Sequence, residues 1–333
     1  MIAQGVKVQM CVTSPPYYGL RDYGHPGQLG MESTPSEYVD SMVEVFSLVR
    51  QLLADDGVLW LNIGDSYARP GGTTDNTADK RSRSIAHMHE SQRRCVKPPN
   101  GIKHKDLIGI PWMLAFALRA HGWYLRQDII WHKPNPMPES VTDRCTKAHE
   151  YLFLLSKNER YYWDAEAMRE QAAPASLERW AQNVEDQTGS DRVPGKTNGN
   201  MKAVGGPRSR RDSFKRQDSK RAEVIPGQKA GTHRPDRDES EWDTATRNRR
   251  SVWTVPTVPY KGAHFATFPP ALIEPCILAG SRVNDIVLDP FIGSGTTGEV
   301  AQNLGRKWIG CELNRSYASL QNERTAQTSL VFT

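Results

Sequence analysis

Ser14-Pro15-Pro16-Tyr17 follows a short apolar run, Val8 to Val12, and its residue types suit the holding of a flat exocyclic amino group. Proline has no N–H and fixes its own φ, so the carbonyls around Pro15 and Pro16 can converge on one point as acceptors. The Ser14 hydroxyl adds a further acceptor, and the Tyr17 ring offers a stacking face. A Pro-Pro pair on its own also ends an edge strand before a turn, so its weight depends on the rest of the chain.

A second constellation lies near the other end. Ile286-Val287-Leu288-Asp289-Pro290-Phe291-Ile292-Gly293-Ser294-Gly295-Thr296-Thr297-Gly298 reads as strand, glycine turn and helix. Glycines let backbone approach a ligand closely, and Glu312, at the end of the next strand, is placed to accept from two ribose hydroxyls. Gly293, Gly295 and Gly298 also match G-x-G-x-x-G, which leaves a dinucleotide enzyme and a purely structural tight turn as rivals.

The elements that must position these residues alternate between strand and helix periods. Val8–Val12 and Val58–Ile63 read as strands, and between them the apolar residues of Glu37–Leu53 recur with the helical period. Residues 68–105 are polar and without apolar periodicity, which predicts a long, functional, mobile loop. A helix is expected over Asp106–His121, with Pro111 in its early turns, then strands at Trp123–Trp131 and Ala148–Ser156. Order returns at Ser251–Val255, followed by a helix over Pro269–Ala279 that Pro275 should kink, a strand Asp285–Pro290, a helix Thr296–Leu304 and a strand Lys307–Glu312. The chain therefore divides into 1–164, a polar insertion 165–250, and 251–333.

The full chain has 333 residues and a formal charge of +5, which permits a polyanionic partner without demanding one. Its distribution says more: within 192–234 basic residues outnumber acidic ones by nine, a local cationic zone that reads as a nucleic-acid surface or a disordered linker. The five cysteines are scattered with no C-x-x-C spacing, which argues against a disulfide framework and a zinc site, and fits a reducing cytoplasm. No apolar run reaches the roughly 20 residues of a membrane span, and no secretory leader is visible. A soluble protein without a metal is expected.

Taken together, the chain resembles the DNA amino-methyltransferases that modify exocyclic nitrogens with S-adenosylmethionine. Thr13-Ser14-Pro15-Pro16-Tyr17 is similar to that family's catalytic motif, Asp289 to Thr296 to its cofactor loop, and His264-Phe265-Ala266-Thr267-Phe268-Pro269 to the segment that closes over the methionine part of the cofactor. The catalytic motif precedes the cofactor loop, the permuted order of the family's beta group. That order disfavours the glutamine and ribosomal-RNA methyltransferases with a related motif. It also excludes a 5-methylcytosine enzyme, because the only Pro-Cys, Pro275-Cys276, lies before the loop in a predicted helix and reads as core.

The resemblance implies a three-layer, Rossmann-like α/β sheet, mainly parallel, and one strand short if nothing else supplies an edge. It implies S-adenosylmethionine held by Phe265, Thr267, Asp289, Phe291, Gly293, Gly295, Thr296 and Glu312. It implies double-stranded DNA as partner, a monomer or homodimer, and a setting beside a cognate restriction enzyme or in a phage. Ser14 and the Pro15 carbonyl would accept the amino hydrogens of a flipped base while Tyr17 stacks on it. A leading Ser points to cytosine N4 before adenine N6. Lys133, Asn135, Arg208, Arg210 and Arg211 are the expected DNA contacts, and Asp65 and Tyr67 are candidates to line the pocket. His132 and His264 have no ligand spacing, so surface or hydrogen-bonded roles are expected for both.

Overall fold

Residues 1–22, 25, 27–68, 101–181, 245–258 and 268–326 are described by the computed structural model. They fall into two units, Met1–Met168 with Arg250–Thr333, and Arg169–Arg249. In the first unit a seven-stranded sheet is built from β1 (Val8–Thr13), β2 (Leu53–Ile63), β3 (Tyr124–His132), β4 (His149–Ser156), β7 (Val252–Thr254), β8 (Ile286–Asp289) and β9 (Lys307–Gly310), in the order β7-β3-β4-β2-β1-β8-β9. Only β4 runs against the others, so its two pairings are antiparallel and the remaining four are parallel. The short second unit pairs β5 (Arg169–Gln171) antiparallel with β6 (Thr246–Asn248), and α3 (Pro174–Ala181) follows β5.

Alternation along the strands sorts their side chains into two cores. Cys11, Leu59, Leu61, Phe153 and Leu155 face α1 (Pro35–Leu52) and α2 (Ile110–Ala120), while Met10, Val12, Trp60, Leu152 and Leu154 face α4 (Pro270–Gly280) and α5 (Thr296–Asn303). The result is helix, sheet, helix. Cys276 lies in α4 fully buried, its thiol on the Leu272 carbonyl, as expected of a core residue. α4 runs on through Pro275.

Several boundaries move for local reasons. α1 begins at Pro35 because the Thr34 side chain accepts from Glu37 N at 3.2 Å while the Glu37 carboxylate accepts from Ser33 N at 3.0 Å, reciprocal bonds that close the first turn. α2 begins at Ile110 rather than Asp106, after Gly109 in a left-handed conformation. β2 starts directly after α1, at Leu53, and an irregular register between Val8 and Met10 absorbs the extra residues 54–57. Among the described residues β9 forms one edge of the sheet and Ile2–Gln4 is a 3-10 turn; Ser329–Thr333 lies outside them.

Most of the polar stretch 68–105 lies outside the described residues, but its flanks are joined: Ala68 N donates to Asp106 O and Lys105 N to Ala68 O, both at 2.9 Å. Residues 182–244, with Arg208, Arg210 and Arg211, and residues 259–267, with His264, Phe265 and Thr267, are likewise outside them. Among the described residues no helix is long and apolar enough to cross a membrane, and no cluster of His, Cys, Asp and Glu could hold a metal ion.

Candidate active site

The two constellations, 276 residues apart in sequence at Thr13 and Asp289, open from neighbouring strands. β1 and β8 pair in parallel through Met10 with Val287 and Cys11 with Leu288, so the segments leaving their carboxyl ends emerge side by side. The chain continues from β1 through α1 on one face and from β8 through α5 on the other, which opens a crevice between them. A cavity of about 400 Å³ fills it, lined by residues 14–17, 289–294 and 311–314 together with Thr296, Phe268 and Tyr317. Leu20, Arg21, His25, Gly27, Gln28 and Leu29 supply the remaining wall.

On the β8 side the ligand-facing groups are preset. Glu312 accepts from Gly293 N at 3.0 Å through one oxygen and from Asn314 N at 2.8 Å through the other, which aims the carboxylate and leaves lone pairs on both oxygens. The Ser294 hydroxyl, buried on the lining, has no partner among the described residues. Gly293 has a φ of 52° and Gly295 a φ of 90°. Gly295 does not line the cavity: a Cβ there would sit 3.2 Å from Gln321 Cα in α6 (Ala318–Ala326), so glycine is required by the turn and by helix packing, not by room for a ligand. α6 braces this turn, with Gln321 Nε2 donating to Gly293 O at 2.8 Å and Arg324 to the Thr296 hydroxyl.

Asp289 joins the two sides. Its carboxylate is buried and accepts from Thr13 Oγ1 at 2.5 Å, Thr297 Oγ1 at 2.6 Å and Phe291 N at 3.0 Å. Burial outweighs these donors, and with a smaller push from Glu312 lifts its pKa from 3.8 to about 6.

On the β1 side Tyr38 in α1 donates to Pro16 O at 2.8 Å and fixes the turn. The Tyr17 phenol donates to Glu150 Oε2 at 2.6 Å and reaches Asn62 Oδ1 at 3.3 Å, and the Ser14 hydroxyl lies 3.5 Å from it. Burial, then the Glu150 charge, push the phenol well above its ordinary pKa, so it stays a neutral donor. Glu150 in turn pairs with Lys133, whose ammonium lies 4.3 Å from the centre of the Trp131 ring. Gly64 lies beneath the tyrosine, where a Cβ would come within 2.6 Å of Tyr17 Cε2. A line of polar side chains thus crosses the carboxyl edge of the sheet from Lys133 through Glu150 and Asn62 to Tyr17.

Ser14, Pro15, Pro16, Tyr17, Asp289, Phe291, Gly293, Thr296 and Glu312 are therefore brought to one cavity. Asn135 is held away from it, exchanging two hydrogen bonds with the Thr257 backbone at 3.0 and 3.1 Å. Asp65 and Tyr67 do not line the cavity. Asp65 accepts from Gly109 N and Ile110 N and so caps α2 from outside the helix, and Tyr67 packs its ring 3.9 Å from the Arg144 guanidinium carbon. His132 is hydrogen-bonded to the Thr254 hydroxyl at 3.1 Å. Sequence reading missed Asn62, Glu150 and Lys133's true partner. The visible signal was a polar residue inside an otherwise apolar strand, Asn62 in Val58–Ile63, and a carboxylate at the opening of β4.

The family model described as DNA methylase matches residues 8–323. The type II methyltransferase M.SmaI of Serratia marcescens is 42% identical over 314 residues, covering 94% of this chain and 82% of its own. M.Cfr9I of Citrobacter freundii is 41% identical over 319 residues, covering 95% and 81%. Among solved structures the PvuII DNA methyltransferase, cytosine-N4-specific, superposes with a TM-score of 0.54 at 16% identity, covering 99% of this chain and 84% of its own, a likeness of fold.

Proposed function

The chain belongs to the N6/N4 DNA methylase family, and from that premise we propose that it methylates cytosine N4 at a specific site in duplex DNA, with S-adenosylmethionine as donor. The observation that carries the reading is the meeting of Ser14–Tyr17 and the Asp289–Glu312 machinery in one cavity between β1 and β8. A dinucleotide oxidoreductase would leave Ser14–Tyr17 without work, and family membership removes it.

The cavity fits the donor. Glu312 has acceptor capacity for a ribose diol, the Ser294 hydroxyl, without a partner among the described residues, can meet a polar ligand group, and Pro290, Phe291, Ile292 and Leu313 give an apolar wall for a purine ring. S-adenosylmethionine supplies an electrophilic methyl group. The protein's part is to hold a weak nucleophile, because the amino lone pair of cytosine is delocalised into the ring. Ser14 Oγ and the Pro15 carbonyl accept its two hydrogens, which favours a pyramidal nitrogen with its lone pair directed at the methyl group. Tyr17, fixed through Glu150 and Asn62, presents its ring to the flipped base. The neutral Ser14 hydroxyl is too weak a base to take the proton, so its role is positioning, and the cationic amino group formed by methyl transfer then loses its proton to solvent. The leading serine is what favours cytosine N4, since a hydroxyl has a shorter reach than the carboxylate or amide that heads the adenine-N6 motif.

The cationic stretch 192–234 is the proposed phosphate surface, and Lys133 and Asn135 are further proposed DNA contacts. The reading is tested by incubating the chain with duplex DNA and methyl-labelled S-adenosylmethionine. Label in DNA supports it, and donor binding without label in any duplex contradicts it.

A further inference from the structure

Residues 133–148 carry the chain from the end of β3 to the start of β4. Because β3 runs parallel to β1, this link stands on the same edge of the sheet as Ser14–Tyr17. Its root is close to the chemistry: Lys133 contacts Glu150, and Glu150 contacts Tyr17. It is tethered by Asn135 to Thr257 and by Lys147 Nζ to Asp65 O at 2.7 Å, and Arg144 pairs with Glu139 within it at 2.6 Å.

Between Asn135 and Glu139 lies Pro136-Met137-Pro138. Met137 is 88% exposed, and no other large apolar side chain among the described residues exceeds 61%. The flanking prolines stiffen the backbone, so the side chain is held out from the protein instead of folding back onto it. The nearby acids do not oppose an approaching phosphate with bare charge, since Glu139 is paired with Arg144 and Asp143 with Lys105 at 2.6 Å. An exposed thioether chain on a proline-stiffened backbone, at the edge where a base must leave the duplex, suits one task. Extruding a base leaves a gap in the stack, and an apolar side chain that fills it offsets the unstacking.

We propose that Met137 is the wedge that enters the base stack when the target base turns into the cavity; this rests on the functional reading above. Once the methylated site is mapped, the full chain is mixed with a duplex carrying 2-aminopurine in place of the target base and thymine opposite it, so that the probe is paired and its fluorescence rises on unstacking. Met137→Ala should brighten the probe less than wild type. It should also slow methyl transfer to the matched site by about 10- to 100-fold, the range set by losing the burial of a methionine side chain. A mismatch opposite the target weakens its pairing, and there the deficit should shrink to about 3-fold or less, because the extrusion cost has already been lowered. Met137→Leu should stay near wild type. Equal brightening in wild type and Met137→Ala, or a deficit that is the same on matched and mismatched duplexes, overturns the wedge alone. Wild-type chain that binds duplex yet neither brightens the probe nor transfers methyl overturns the functional reading, and the wedge with it.

Discussion

Glu150 serves two partners at once, balancing the Lys133 charge and accepting from the Tyr17 phenol. Its contribution to methyl transfer should pass through the tyrosine. Glu150→Ala is expected to slow single-turnover methylation by about 10- to 150-fold, the loss of a hydrogen bond to a charged acceptor, with unchanged affinity for S-adenosylmethionine. Adding Tyr17→Phe should then cost little more, whereas additive losses would show that Glu150 acts by another route. Asp289 makes a different prediction. Its folded-state pKa of about 6 lies above the ordinary 3.8, so its stabilising contribution is fully present below about pH 4 and is lost as pH rises through 6. The shift corresponds to about 3 kcal/mol. Urea unfolding from pH 4 to 8 should show that decline in wild type and not in Asp289→Asn; parallel curves would place the carboxylate's pKa elsewhere.

At the scale of elements, the loops at the strand ends do the positioning, and two glycines separate their tasks. Gly64→Ala drives a Cβ toward the Tyr17 ring and should impair methylation while sparing donor affinity. Gly295→Ala puts a side chain at φ 90° against the α6 backbone and should lower stability by roughly 1–3 kcal/mol and weaken donor binding as well. Thermal unfolding and calorimetric titration of the pair decide the matter, and identical behaviour of the two variants would contradict the division. Apolar periodicity made these elements legible to within a few residues, and the two constellations could be read as chemistry because their residue types are unusual together. What periodicity does not encode is strand order and direction. Glu150 could not be read as Tyr17's partner until β4 was seen to run antiparallel beside β2, with Asn62 of β2 opposite Leu152 and within reach of Glu150. Asp65 was misread for the same reason: its partners are the backbone of α2, more than 40 residues on.

The whole molecule must bring a polyanion to this edge, and the excess of basic residues in 192–234 is the proposed means. If Arg208, Arg210 and Arg211 each neutralise a phosphate, replacing them with Ala should reduce the slope of log affinity against log salt by about 0.9 per contact. The same change should leave the methylated sequence unaltered, because phosphate contacts carry little sequence information. An unchanged slope would make the stretch a linker. The central claim, that a serine-headed Pro-Pro-Tyr turn and a glycine turn on adjacent strands build a cytosine-N4 methylating site, meets its most direct test in the product. Duplex DNA treated with the protein and S-adenosylmethionine is digested to nucleosides and analysed by mass spectrometry. N4-methylcytosine is expected, falling about 5- to 150-fold in rate of formation with Ser14→Ala as one hydrogen-bond acceptor is lost. N6-methyladenine as the sole product, or full activity in Ser14→Ala, would contradict the account.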